Sequence, residues 1–276
     1  MFVWRWILSI SLRILVGTVA QLSPALLPFS FREPAMRSLT SGFIRSGLFL
    51  AVCVSALTSA QSALAQQYNP AKMTFFVTSK NPGKGGNLGG IDGADAYCAT
   101  LAEAAGAPKR QWRAYLSLAA TNGKPAVNAR DRIGKGPWVN ANGVEIAANV
   151  EELHSPNPKM SKQTNLTEKG EVNPGRGDAV NHHDAITGSE ADGRLAAPQV
   201  AEGREGAPAL PLPPNMTCNN YTSDDAKLST MNGHIDRQGF VPAATSWNAA
   251  HPSRGCNNEG LASTGGAGQY FCFATN

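Results

Sequence analysis

Two stretches of this 276-residue chain gather the side chains that can do chemistry. Residues 173–184 (NPGRGDAVNHHD) place oxygen and imidazole donors close together. Asp178, Asn181 and Asp184 offer oxygens of the kind calcium prefers, whereas His182, His183 and Asp184 offer a zinc-type set. The expected metal residues are Asp178, Asn181, His183 and Asp184, with calcium the first candidate ion and the choice between calcium and zinc left open. Adjacent histidines in an extended segment point to opposite sides, which counts against a joint site. The competing explanation is a solvated loop whose Asn and Asp side chains bond their own backbone. Arg176-Gly177-Asp178 also spells the adhesion tripeptide, although three residues recur often by chance. The second stretch comprises residues 231–237 (MNGHIDR) and 246–256 (SWNAAHPSRGC). His234, Asp236, Trp247, Asn248, His251 and Arg254 can line one ligand-binding groove, with Trp247 facing a sugar ring and the polar groups bonding its hydroxyls. The plainer alternative makes Trp247 a core residue and the others loop fasteners.

Other chemistry finds no foothold. The chain has no Gly-x-Ser-x-Gly elbow, His-Glu-x-x-His pair or phosphate-binding loop. A hydrolase using His234 and Asp236 lacks an evident nucleophile beside them. Residues 1–65 carry five arginines and one glutamate, so the 211 that follow balance at nineteen basic and nineteen acidic side chains. No basic surface is left for nucleic acid.

The start of the chain points to export. From Met36, the expected true initiator, Arg37 and Arg45 precede an apolar stretch at 48–57, and Ala63-Leu64-Ala65 supplies a cleavage signal. The expected protein is therefore secreted or periplasmic, begins at Gln66 and has no stable membrane span. Cys53 leaves with the signal. Cys98, Cys218, Cys256 and Cys272 remain, in a compartment where disulfides persist, and four cysteines allow three pairings.

The elements that must position these groups are sparse. Residues 73–78 (MTFFVT) and 112–118 read as strands, and Asn142-Gly143 between apolar neighbours predicts a hairpin over 138–146. Asp92 is placed to cap a helix over 93–105, on which Ala94, Cys98, Leu101 and Ala105 share one face and turn Cys98 inward. Further strands are expected at 218–222, 231–235 and 270–274. Residues 155–184 are polar, and about 188–215 form a Pro/Gly/Ala-rich stretch expected to be a surface insertion without a core. The class is α+β, in one domain over 66–276.

Residues 85–98 (GGNLGGIDGADAYC), followed by WRAYLS at 112–117, resemble the endostatin domain of collagens and its C-type-lectin-like fold. The pieces AVNARDRI at 126–133, VEELH at 150–154, Thr187-Gly188-Ser189, CNNYT at 218–222 and the closing Tyr270-Phe271-Cys272 follow in the same order. The likeness is to small secreted bacterial proteins labelled lectin-like. It implies one main helix near the start, short antiparallel strands, long loops and two nested disulfides, Cys98–Cys272 around Cys218–Cys256. It also implies a non-enzymatic binding protein with a glycan as ligand, or an extracellular or envelope protein as partner in an adhesin. The calcium-dependent sugar motifs of that fold are missing, and Trp247-Asn248-Ala249 has a methyl group where one of them carries a carboxylate.

Overall fold

The computed structural model describes residues 68–199 and 212–275. The export signal expected over 1–65, Met36, Cys53 and the proline-rich centre of the expected insertion lie outside them.

Residues 73–78 are apolar on consecutive positions because the strand within them is covered on both faces. β1 (Phe75–Val77) and β2 (Trp112–Ala114) flank β9 (Phe271–Ala274) in an antiparallel sheet, with Phe76 opposite Cys272. Alternation sends Phe76, Trp112, Ala114 and Cys272 to one side, where α1 (Gly90–Ala104) brings Ala94, Cys98 and Ala102. It sends Phe75, Val77, Phe271 and Phe273 to the other, against Tyr115, Trp138, Ile146 and Trp247. The helix starts earlier than Asp92 would cap it. Gly89, in the left-handed region at φ 76°, turns the chain into α1, and a Cβ on Gly93 would lie 2.4 Å from the Leu88 carbonyl oxygen. Asp95 is buried on α1, where its carboxylate bonds Arg113, Arg132 and the Ala114 N–H, tying helix to strand.

The hairpin at Asn142-Gly143 forms as expected between β3 (Trp138–Val139) and β4 (Glu145–Ala147), with Gly143 at φ 77°. The strand expected over 112–118 stops at Ala114. The one expected over 218–222 is instead a turn in which Cys218, Asn219, Asn220 and Tyr221 all have positive φ. Side chains hold it there: Asn220 grips the Ala119 N–H and carbonyl, and the Tyr221 hydroxyl donates to Ser117 O and Thr187 O.

A second sheet has the order β7 (His251–Pro252), β6 (Met231–His234), β5 (Asp184–Ile186), β8 (Gly266–Gln269). Pairing is antiparallel except between β5 and β8. The polar composition of 155–199 therefore misleads. This segment supplies β5 and buries Asn165, Leu166, Asn173 and His183, with amides replacing apolar contacts: Asn165 Nδ2 donates to Ile235 O at 2.6 Å, and Asn173 Nδ2 to Asn165 O at 3.1 Å. Residues 212–217 are likewise partly packed, with Met216 and Thr217 fully buried. The disulfides pair Cys98 with Cys272 and Cys218 with Cys256, each with Cα atoms 5.7 Å apart. The architecture is α+β, mostly sheet with few helices. Among the described residues no helix is long and apolar enough to cross a membrane.

Candidate metal centre

The second sheet brings four donors together at its β7–β6–β5 end. Asp184 and His234 face each other in the antiparallel register, and His251 stands opposite Asn232 on the next strand. His183 precedes the ladder, and the pairing with β8 slips between Asp184 and Ala185. His183 lies outside β5, so strand alternation does not govern how it and Asp184 point. Gly265 makes room for the first ring: a Cβ there would lie 2.8 Å from His183 Cδ2.

Asp184 Oδ1 lies 3.2 Å from His183 Nε2, 3.4 Å from His234 Nε2 and 3.5 Å from His251 Nε2, and the last two nitrogens are 2.9 Å apart. A tetrahedral ion with bonds of about 2.0 Å has donor–donor edges of about 3.3 Å, close to the three Asp184 separations. Among the described residues, His183, Asp184 and His234 lie within 4.8 Å of one another, and His251 joins them through Asp184 and His234. His183, Asp184 and His234 are buried, whereas the His251 side chain is 31% exposed at the rim.

The surroundings dictate which nitrogen carries the proton on each ring. His183 Nδ1 faces Asp236 Oδ1 at 3.3 Å, His234 Nδ1 faces the carbonyls of Gln238 and Ala244 at 2.8 and 2.6 Å, and His251 Nδ1 faces Pro252 O at 3.0 Å. All of these are acceptors, so each neutral ring is protonated at Nδ1 and turns a lone pair inward from Nε2. Three lone pairs and a carboxylate oxygen then confront one another, and Asp184 Oδ1 accepts no hydrogen bond although buried. Such a cluster calls for a cation at its middle. The other oxygen, Oδ2, is fixed by the Thr264 hydroxyl at 2.8 Å and by Asn232 Nδ2 at 3.4 Å.

The local electrostatics treat the rings differently. Burial pushes His234 below its usual range, toward the neutral form a metal requires. Burial also lowers His251, but the Asp184 carboxylate more than offsets it and the net shift is upward, as for a ring drawn to an anionic oxygen. Asp236 is raised by burial and lowered further by His183 and by the N–H groups of Arg176 and Gln238, so it stays ionised behind His183. Acceptors behind each ligating ring, including a carboxylate behind one, are the usual outer layer of a zinc site. Three imidazoles and a carboxylate suit zinc and fit calcium poorly, since that ion wants roughly six to eight oxygens.

Of the metal residues expected from the sequence, His183 and Asp184 join the centre. Asp178 is exposed, and its Oδ2 takes Lys162 Nζ at 2.5 Å and the Gly175 N–H at 2.7 Å. Asn181 is exposed and His182 half-buried, and neither enters the donor set. Of the expected groove, His234 and His251 are donors, and Asp236 backs the ring of His183. Trp247 turns away from solvent: it is 3% exposed, packs on Tyr115 and Phe271, and donates Nε1–H to Leu153 O at 3.1 Å. Asn248 is 1% exposed, with Nδ2 on the Tyr115 hydroxyl and the carbonyls of Glu190 and Ala191. Both are almost wholly buried, yet both are among the residues lining the open groove beside residues 242–245. Arg254 is half-buried outside the donor set. The Arg176-Gly177-Asp178 tripeptide is tied into the centre's support, since the Arg176 N–H bonds Asp236 Oδ2 at 2.7 Å.

An open groove of about 450 Å³ lies beside the 3-10 turn Pro242–Thr245, lined also by His154, Asp192, Arg237 and Ser246. Compared with known proteins, the chain matches no family model and no curated protein.

Proposed function

We propose that this is an exported, disulfide-stapled zinc-binding protein, with His183, Asp184, His234 and His251 as the ligands. One observation carries the reading: the ring nitrogens of His183 and His234 and an Asp184 oxygen gather within 4.8 Å of one another, buried, and that oxygen has no hydrogen bond, while His251 Nε2 lies 3.5 Å from it at the rim. His251, beside Asp184 and His234 at the rim, is the fourth ligand of this reading and closes the sphere as in structural zinc sites, whereas His183, Asp184 and His234 alone would leave one position open. The nested bridges support a secreted or periplasmic setting, and together with the helix-then-strand order they support a C-type-lectin-like, endostatin-related frame.

The test is metal analysis of the exported protein after equilibration with zinc and gel filtration. One zinc per chain is expected, falling below about a tenth in the His183→Ala and His234→Ala variants, whose disulfides remain to hold the fold. A wild-type protein that emerges without zinc overturns the reading. A glycan ligand is the second reading, favoured by the groove beside Pro242–Thr245. A glycan array run with zinc and with chelator tests it. Silence in both arms removes the carbohydrate and leaves a protein partner, as in an adhesin.

A further inference from the structure

His234 faces two ways. Its Nε2 belongs to the donor cluster, while its Nδ1–H is shared between the carbonyls of Gln238 and Ala244. Those carbonyls stand at the two ends of one loop, residues 238–244, so a single imidazole proton draws the base of that loop together. Two further ties act at the same place. The His234 N–H donates to Ser246 O at 2.9 Å, and Asp236, which supports the ligand His183, accepts the Gln238 N–H at 3.0 Å. The closure is tight. A Cβ on Gly239 would lie 2.6 Å from the Ala244 carbonyl oxygen. The loop carries Phe240, 89% exposed, and its far side is the 3-10 turn Pro242–Thr245, one wall of the groove.

Among these ties, the His234 ring is the one a metal can act on. The two carbonyls hold its proton on Nδ1, and a metal on Nε2 pins the ring in the orientation that aims that proton at both. A ring without metal on Nε2 can turn, and when it turns the bond bridging the two ends of the loop is lost. We propose that metal occupancy closes the 238–244 loop and thereby shapes the neighbouring groove, so that the metal and whatever fills the groove are coupled. Coupling of this kind is reciprocal: anything that opens the loop must weaken the metal.

This rests on the zinc reading, and the experiment separates the two. Hydrogen–deuterium exchange is measured on the exported protein, zinc-loaded and chelator-stripped, with metal content determined on the same samples. Loading is expected to slow the amides of 239–246 at least tenfold while leaving β9 unchanged. One zinc per chain with equal exchange in this loop overturns the coupling and leaves the zinc site standing. Absence of bound zinc overturns both. In a second arm, Gly239→Ala keeps every ligand but forces Ala244 away from the loop base. Zinc dissociation is expected to rise about tenfold, and an unchanged Kd overturns the coupling. Should that variant fail to fold, the wild-type exchange comparison decides.

Discussion

Two kinds of histidine occur in this molecule, told apart by what each nitrogen meets. His154 has both satisfied: Nδ1 lies 2.8 Å from Val150 O, and Nε2 lies 2.7 Å from the Tyr115 hydroxyl, which donates to it. It is a fastener, and burial holds its pKa below the usual 6.5. Because the folded value is the lower one, the unfolded chain takes up the proton first as pH falls. This residue's contribution is therefore complete above about 6.5 and shrinks below it. In chelator-treated protein, the stability gap between wild type and His154→Gln should narrow from pH 8 to pH 5, as read from urea midpoints. A gap that widens refutes the assignment. His183, His234 and His251 have acceptors at Nδ1 and turn Nε2 toward Asp184 and one another. For them the outer contacts are the sensitive point: Asp236→Asn should weaken zinc about ten- to a hundredfold without touching a ligand, measured by competition with a chelating dye. Residue types made His183, Asp184, His234 and His251 visible in the sequence as candidates. Their grouping was not legible, because it depends on the pairing of β5, β6 and β7, on His183 standing just before β5, and on Gly265 stepping aside for the His183 ring.

Among the elements, those with a local cause were legible. The aromatic run around Phe75, the hairpin at Asn142-Gly143 and the inward turn of Cys98 each follow from a few adjacent residues. β5 was hidden, since its neighbours are polar and its burial is secured by amides far away in sequence. The left-handed turn at Cys218–Tyr221 was hidden for a similar reason. The pentad CNNYT offers two asparagines that tolerate the left-handed region, but nothing in it showed that Ser117, Ala119 and Thr187 would hold Cys218 and Tyr221 there as well. Gly233 shows how tightly the second sheet must be drawn. It lies on β6 beside His234, and a Cβ there would press into the backbone carbonyl of Trp247. Backbone cannot yield as a side chain tip can. Gly233→Ala should cost about 3 kcal/mol or more and lower zinc occupancy together with stability, checked by urea denaturation and metal analysis.

For the molecule as a whole, the two bridges act on different regions. Cys218–Cys256 closes a loop with a sequence separation of 38 that contains both His234 and His251, whereas Cys98–Cys272 spans 174 positions and joins α1 to β9. In the chain-entropy description these closures contribute about 4 and about 5 kcal/mol. Replacing Cys218 and Cys256 with serine should lower stability by about 4 kcal/mol in chelator and also weaken zinc, since two ligands lose their tether. Denaturation curves with and without metal measure both effects. β9 carries a different consequence, one of timing. It is the middle strand of its sheet, and its neighbours were synthesised long before it: Thr78 and Tyr270, hydrogen-bonded where the sheet begins, are 192 positions apart. β1 and β2 have no direct pairing with each other and must wait for the strand between them. Until it arrives, Phe75, Phe76 and Trp112 have no partner sheet, so the growing chain offers sticky, unpaired edges to whatever chaperone reaches it first. The same delay keeps the chain threadable, because nothing in this sheet can lock while it is still being made.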